Sequence, residues 1–235
     1  MKKFLSGAFW VVVTLVLLYG AACFFPYFNI SETEVTGIDS LTKEQVLEIC
    51  GVENGTNIFI FNTSKACKKL KENNYVKEAK IVKSLPHKLT INIVENQVRG
   101  YIPYMNAYLY IDENGRVLDS KTEMKKQLPI LTGLKFDGFV LGEVLETDSI
   151  TTYKSVSELA ELFSRYELLD AVIKVDVADD SDIHMYIDKL EVKFGGFDDA
   201  NEKIAYLNEI LKTVDTSVAG TVDLTLDNPI YKYRD

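Results

Sequence analysis

A chain of 235 residues has room for more than one compact unit but not for many, and 47% apolar residues, including 12 Phe and 13 Tyr, suffice to build cores. The charge is one-sided: beyond Ser31 the chain carries 24 basic and 35 acidic residues, a net of −11. No basic stripe offers counter-charge to phosphates, which argues against nucleic-acid binding.

Lys2 and Lys3 are the only charges before Glu32, and the uncharged run Leu5–Phe25 would measure about 31 Å as a helix, the thickness of a bilayer's hydrocarbon. This predicts a short cytoplasmic tail at 1–4 and a transmembrane helix at 5–27. Basic residues on the short side place the N-terminus in the cytoplasm and the bulk outside it. Pro26 ends the helix, and Tyr27 and Phe28 stand at the far boundary, where aromatic rings are favoured. A cleaved signal peptide competes with this reading, but its apolar core runs to 7–15 residues and ends on small residues. This run is longer and closes on Phe24 and Phe25. A lipoprotein signal ending at Cys23 would need an aliphatic residue where Gly20 stands.

The first outer unit is expected over 28–97, beginning with a strand at 31–36. Thr42 and Gln45 form a capping box ahead of Val46, Leu47, Ile49 and Cys50, and Gly51 can close that helix in a left-handed conformation. Gly55-Thr56-Asn57 makes a turn. Asn62, Thr63 or Ser64 then caps a second helix with Ala66, Cys67 and Leu70 on one face. Two strands follow, 76–83 and 88–95, separated by Leu85-Pro86-His87. In the second, Leu89, Ile91 and Ile93 alternate with polar residues, as in a half-buried strand. The order is β-α-α-β-β.

That order directly after an anchor, with Val35-Thr36-Gly37, Gly55, Asn57, Phe59, Leu70, Val76, Ala79, Ile81, Pro86, Leu89, Ile91, Ile93 and Glu95, resembles a POTRA domain of the FtsQ/DivIB family. Each of these residues also has a plain task as core, turn or strand breaker. Thr33, Asn96 and Val98 depart from the family's usual residues.

The second unit is expected over 98–235. Residues 107–118 read as a hairpin around Asn114-Gly115. A helix capped by Ser149 runs to about Tyr166. Strands are expected at 172–177, 183–187 and 190–195, a helix at 198–213, and a closing strand at 221–226 presenting Val222, Leu224 and Leu226 to the core. Tyr110-Ile111-Asp112, Gly115, Val117-Leu118, Leu128-Pro129, Thr132-Gly133, Gly195, Glu202-Lys203 and Gly220-Thr221-Val222-Asp223-Leu224 again resemble the FtsQ/DivIB β domain. The fold class expected is therefore α+β: a transmembrane helix, a POTRA domain, and a mixed β-rich domain with two helices.

Residues able to do chemistry are sparse. His87 and His184 stand beside no nucleophile or second ligand, and no phosphate loop or nucleophile elbow occurs. Asp179, Asp180 and Asp182 lack the Gly and distal Glu of a calcium loop. Cys23, Cys50 and Cys67 form neither a disulfide framework nor a metal set, although a Cys50–Cys67 bridge stays open. No cofactor or enzymatic activity is expected.

The resemblance implies a non-enzymatic divisome scaffold that helps assemble or regulate septal cell-wall synthesis, sits in the cell membrane and is enriched at the septum. It also implies binding of FtsB/DivIC-like and FtsL-like division proteins through the C-terminal strand region, at Val222, Leu224, Leu226, Tyr231 and Tyr233. An uncovered sheet edge suits this, since a partner segment can join it as an extra strand. A POTRA-bearing chaperone or translocation component is the alternative. It would bring tandem POTRA units or a membrane barrel.

Overall fold

The computed structural model describes residues 2–53, 55–147, 150–226 and 229–233, with helix side chains described at 10–21 but not at 2–9, 22–24 or 150–157. The chain divides into two compact units, the first ending at Asn96 and the second beginning at Gln97.

The first unit opens with α1, Lys2–Phe24, 23 residues long, followed by a 3-10 turn at Pro26–Phe28. Proline is tolerated at the start of a helical turn but cannot continue the helix before it, so the chain breaks direction at Phe25. Among the described residues no helix is long and apolar enough to cross a membrane. The segment expected to span, 5–27, lies partly outside the described side chains.

Beyond it come β1 (Glu32–Thr36), α2 (Lys43–Cys50), α3 (Thr63–Lys71), β2 (Val76–Ser84) and β3 (Lys88–Glu95). This is the expected β-α-α-β-β order. The strands form one sheet in the order β1-β3-β2, with β1 parallel and β2 antiparallel to β3. Both halves of the capping box are made: Gln45 N–H donates to Thr42 Oγ1 at 3.3 Å, and Thr42 N–H donates to Gln45 Oε1 at 2.9 Å. Gly51 takes the left-handed conformation at φ 69. Of the three cap candidates for α3, Asn62 serves, its Oδ1 accepting from Lys65 N–H at 2.9 Å.

Leu89, Ile91 and Ile93 of β3 belong to the unit's buried set, together with Val46 of α2 and Ala66 and Leu70 of α3. Cys50 is buried within it, and burial pushes its thiol up to about 11. Cys50 and Cys67 are both free. Buried Glu95 ties the β1–α2 connection to the end of β3, accepting from Ser40 N–H at 2.7 Å and Leu41 N–H at 3.1 Å.

The second unit holds β4 (Gly100–Tyr104), β5 (Ala107–Ile111), β6 (Val117–Lys121), β7 (Ile130–Thr132), α4 (Ile150–Arg165), β8 (Lys174–Asp176), β9 (Ile183–Ile187), β10 (Leu190–Gly195), α5 (Ala200–Leu211), β11 (Gly220–Asp223) and β12 (Ile230–Tyr233). All nine strands join one mixed sheet, ordered β12-β11-β10-β9-β8-β7-β4-β5-β6. One face carries the core: Leu109, Ile111, Val175, Met185, Val192 and Val222 pack with Leu159, Leu162 and Phe163 of α4 and Ala200, Ile204 and Leu207 of α5. The cap expected at Ser149 lies outside the described residues.

Three of these strands, β4, β7 and β12, are not expected from periodicity. β7 has three residues and β12 four, too few for alternation to show. β4 contains Pro103, which a central strand tolerates only where its missing N–H is not needed. The pairing of β4 with β7 involves only Tyr101 and Ile130, so Pro103 lies beyond it.

Candidate functional site

The C-terminal end of the large sheet is built by three strands. β10 and β11 run parallel, Val192 opposite Val222. β12 folds back antiparallel on β11, pairing Tyr231 with Val222 and Tyr233 with Gly220. Because directly opposed residues share a face, Val222 and Tyr231 point to the core side, while Thr221, Asp223, Ile230 and Lys232 point to the other. Val222 and Leu224 are buried and Tyr231 is half-buried against the core.

Leu226 does not follow the expected inward pattern: it is 46% exposed. β11 stops at Asp223, whose Oδ1 accepts from Thr225 N–H at 3.0 Å and Thr225 Oγ1 at 2.6 Å. That local turn ends the strand's alternation before Leu226 is reached.

β11 itself has no open edge, since β10 takes one side and β12 the other. The edge therefore lies one strand further out than β11, along Ile230–Tyr233. Among the described residues no strand lies outside β12, so one row of its backbone N–H and C=O groups is open to a partner strand. Tyr233 is 64% exposed there, its ring 4.7 Å from that of Tyr231 in an edge-to-face contact. Burial and the neighbouring Tyr233 hydroxyl push the Tyr231 phenol above its ordinary value.

The face turned away from the helices is polar here. Two cross-strand rows run across it: Lys174, Tyr186, Glu191, Thr221 and Lys232, then Asp176, His184, Lys193, Asp223 and Ile230. His184 lies between two carboxylates, Nδ1 3.2 Å from Glu191 and Nε2 3.1 Å from Asp182. An open groove is lined by Lys193, Thr221, Asp223, Leu226, Ile230, Lys232 and Tyr233. Asp223 is held below the usual carboxylate range, chiefly by the Thr225 hydroxyl; burial opposes this, and the Thr225 N–H, Lys193 and Lys232 add to the lowering.

No cluster of metal-binding side chains occurs among the described residues. Asp179 is engaged in its own turn, accepting from Ser181 N–H at 2.9 Å and Ser181 Oγ at 2.6 Å. An apolar pocket lined by Ile111, Leu131, Leu159 and Phe163 belongs to the core.

Residues 28–96 match the family model described as "POTRA domain, FtsQ-type", and residues 100–225 match "Cell division protein FtsQ/DivIB, C-terminal". The chain belongs to the FtsQ/DivIB family. Like the other members of this family it is a non-enzymatic cell-division protein. The cell-division protein DivIB of Clostridium botulinum is similar at 29% identity over 225 residues, 94% of this chain and 86% of that relative. FtsQ of Corynebacterium glutamicum is 24% identical over 213 residues, 90% of this chain and 91% of that relative. The solved major extracytoplasmic domain of Geobacillus stearothermophilus DivIB aligns with 52% of this chain and 96% of its own, at 15% identity and a TM-score of 0.33. The match to the C-terminal model stops at residue 225, before β12.

Proposed function

We propose that this protein is a membrane-anchored divisome scaffold whose β12 edge receives an extended segment of an FtsB/DivIC-like partner, with an FtsL-like protein in the same assembly. The observation that carries this reading is the open outer edge of β12 beside a polar, charge-alternating sheet face. A strand added there gains main-chain hydrogen bonds from the edge and selectivity from Tyr231, Lys232 and Tyr233. Val222 and Leu224 support the edge from the core, and exposed Leu226 sits beside it.

The anchor reading rests on α1. Its side chains from Trp10 to Tyr19 are almost all exposed and nearly all apolar, on every side of the helix. A helix apolar all round needs an apolar surrounding. Lys2 and Lys3 then keep the N-terminus in the cytoplasm and the two units outside it. Division proteins of this type act at the septum, where this chain is expected to concentrate.

The test is co-purification of the full chain with FtsB/DivIC-like and FtsL-like partners from membranes, alongside a chain lacking 229–235. Capture should fall at least about tenfold, the loss of a few main-chain hydrogen bonds at about 0.5–1.5 kcal/mol each. Lys232→Glu and Tyr233→Ser, both at exposed positions, should weaken capture without unfolding the sheet. Undiminished capture by all three would sink the edge reading, and a fluorescent fusion spread evenly around the membrane would sink the septal one.

A further inference from the structure

Four of the first unit's exposed large apolar side chains lie on three adjoining loops. Three loops meet where the chain leaves α1: 25–31, 55–60 and 85–87. Ile30 N–H donates to Thr56 O at 2.8 Å, Ile58 N–H to Phe28 O at 2.9 Å, and Ser31 N–H to His87 O at 3.1 Å. Asn29 and Asn57 form an isolated antiparallel bridge. On this frame Phe25, Tyr27 and Leu85 are each 62% exposed and Ile60 is 64% exposed.

The rings interlock. Phe28 lies 5.0 Å from Phe59 and 5.4 Å from Tyr27, and Tyr27 lies 6.3 Å from the His87 ring. In a chain that is 26% charged, residues 25–31, 55–60 and 84–87 contain no Asp, Glu, Lys or Arg. A buried core needs no such exposure, and isolated surface apolar residues would not gather on three separate loops.

The direction of this collar is fixed by α1. Phe59 packs against Tyr19, centroids 5.7 Å apart, and Tyr19 stands five residues before the helix end at Phe24. That is about 7.5 Å back along the helix axis. If α1 spans the bilayer up to Phe24, the Phe59 ring lies at the level of the helix's last turns, inside the interfacial zone. Tyr and Phe rings beside the half-buried Asn29 and His87 suit that zone, where one end of a side chain is apolar and the other wet.

We propose that the collar formed by Phe25, Tyr27, Phe59, Ile60 and Leu85 seats the first unit in the outer lipid interface, so that this unit is held against the membrane rather than swinging from the anchor. The occupant is the bilayer surface itself. Continuity with α1 and the lack of charge select lipid over an acidic or basic protein partner. The inference rests on the anchor reading of α1 but adds to it a second, shallower attachment that a bare tether would lack.

Trp10 is the sole tryptophan, so Trp10→Phe gives a silent background. In it, Leu18→Trp reports on the anchor, Ile60→Trp and Leu85→Trp on the collar, and Met105→Trp on an exposed turn of the second unit. Full chains are reconstituted in phosphatidylcholine–phosphatidylglycerol vesicles containing lipids brominated near the headgroup end or near mid-chain. The inference expects Ile60→Trp and Leu85→Trp to lose about half their emission or more to the headgroup-end bromines and less to the mid-chain ones, with blue-shifted emission. This matches burial about 5–10 Å deep. Met105→Trp should keep its emission.

Quenching of Leu18→Trp without quenching at either collar position would overturn the docked unit while leaving the anchor intact. Absence of quenching at Leu18→Trp as well would overturn both. Blue-shifted but unquenched collar tryptophans would mean that protein, not lipid, covers the collar, which also overturns the proposal. The collar positions are exposed, so unchanged circular dichroism is expected for each variant.

Discussion

The two ends of the nine-stranded sheet are finished in opposite ways. At the β6 end the start of the edge and part of the second face are covered. Val117 N–H donates to Glu143 O at 2.9 Å, Gly142 N–H to Val117 O at 2.8 Å, and Leu145 N–H to Gly115 O at 3.0 Å, so the 142–145 loop occupies the start of that edge. Arg116 adds a side-chain hydrogen bond to Gly142 O. On the face away from the helices, Tyr101 exchanges hydrogen bonds with the Lys126 backbone at 3.1 Å, and the Tyr110 hydroxyl donates to Glu123 O at 2.6 Å. At the β12 end nothing described covers either the outer edge or the polar face. An edge left open along its length, opposite one that a loop caps at its start, is the better place to look for a partner.

The largest expected effect breaks the open end from inside. Val222 is fully buried between β10 and β12. Val222→Asp would bury an unpaired carboxylate and should cost about 4 kcal/mol or more. Urea unfolding of the variant, followed by circular dichroism, should show a much lower midpoint. A near-native midpoint would mean that β11 is not part of the core.

Leu145→Ala attacks the covered end. Loss of a buried Leu should cost about 2–4 kcal/mol, and it loosens the loop that shields β6. Stability should fall while capture of division partners by the folded fraction stays the same. Reduced capture by fully folded protein would place the binding edge at the wrong end of the sheet.

Gly220→Ala separates edge geometry from stability. A Cβ there would come within 2.8 Å of the Tyr231 ring and 3.1 Å of Leu190. The ring must shift, at about 1–2 kcal/mol, and β12 should move with it. Partner capture is expected to drop by more than this modest loss of stability accounts for.

The smallest effect is electrostatic, and its sign differs between the ends. Asp223 has a folded-state pKa below its unfolded value, so its contribution is present above the unfolded pKa and lost as pH falls through the folded one. Beside an open groove, it should be worth less than about 1 kcal/mol. Asp112 in the β5–β6 turn is raised by burial, against the Arg116 and Asn114 N–H groups that hold it down. Its contribution is therefore greatest at low pH and declines as pH rises from the unfolded pKa through the folded one. Stability profiles of Asp223→Asn and Asp112→Asn between acid and neutral pH should diverge from the parent in opposite directions. Parallel profiles would remove the electrostatic part of the contrast.

Much of this was legible in the chain. The capping box at Thr42 and Gln45, the left-handed Gly51 and the alternation of Leu89, Ile91 and Ile93 are local signals, and the structure uses each one. So are the hairpin around Gly115 and the helix carrying Ile204 and Leu207. Glu95 shows where such signals stop. Its partners, Ser40 and Leu41, lie more than fifty residues away, and nothing nearby announces a buried carboxylate.

The sequence by itself determined the uncharged N-terminal run, the β-α-α-β-β order of the first unit, and the inward residues of its longer helices and strands, because capping and periodicity act over a few neighbouring residues. Tertiary structure alone decided that β12 exists, that it takes the edge from β11, and that Leu226 turns outward at the Asp223 turn. It also decided that loops 25–31, 55–60 and 85–87 share one uncharged collar. Four-residue strands and loop clusters gain their stability from pairing with distant segments, and that information is not written within their own residues.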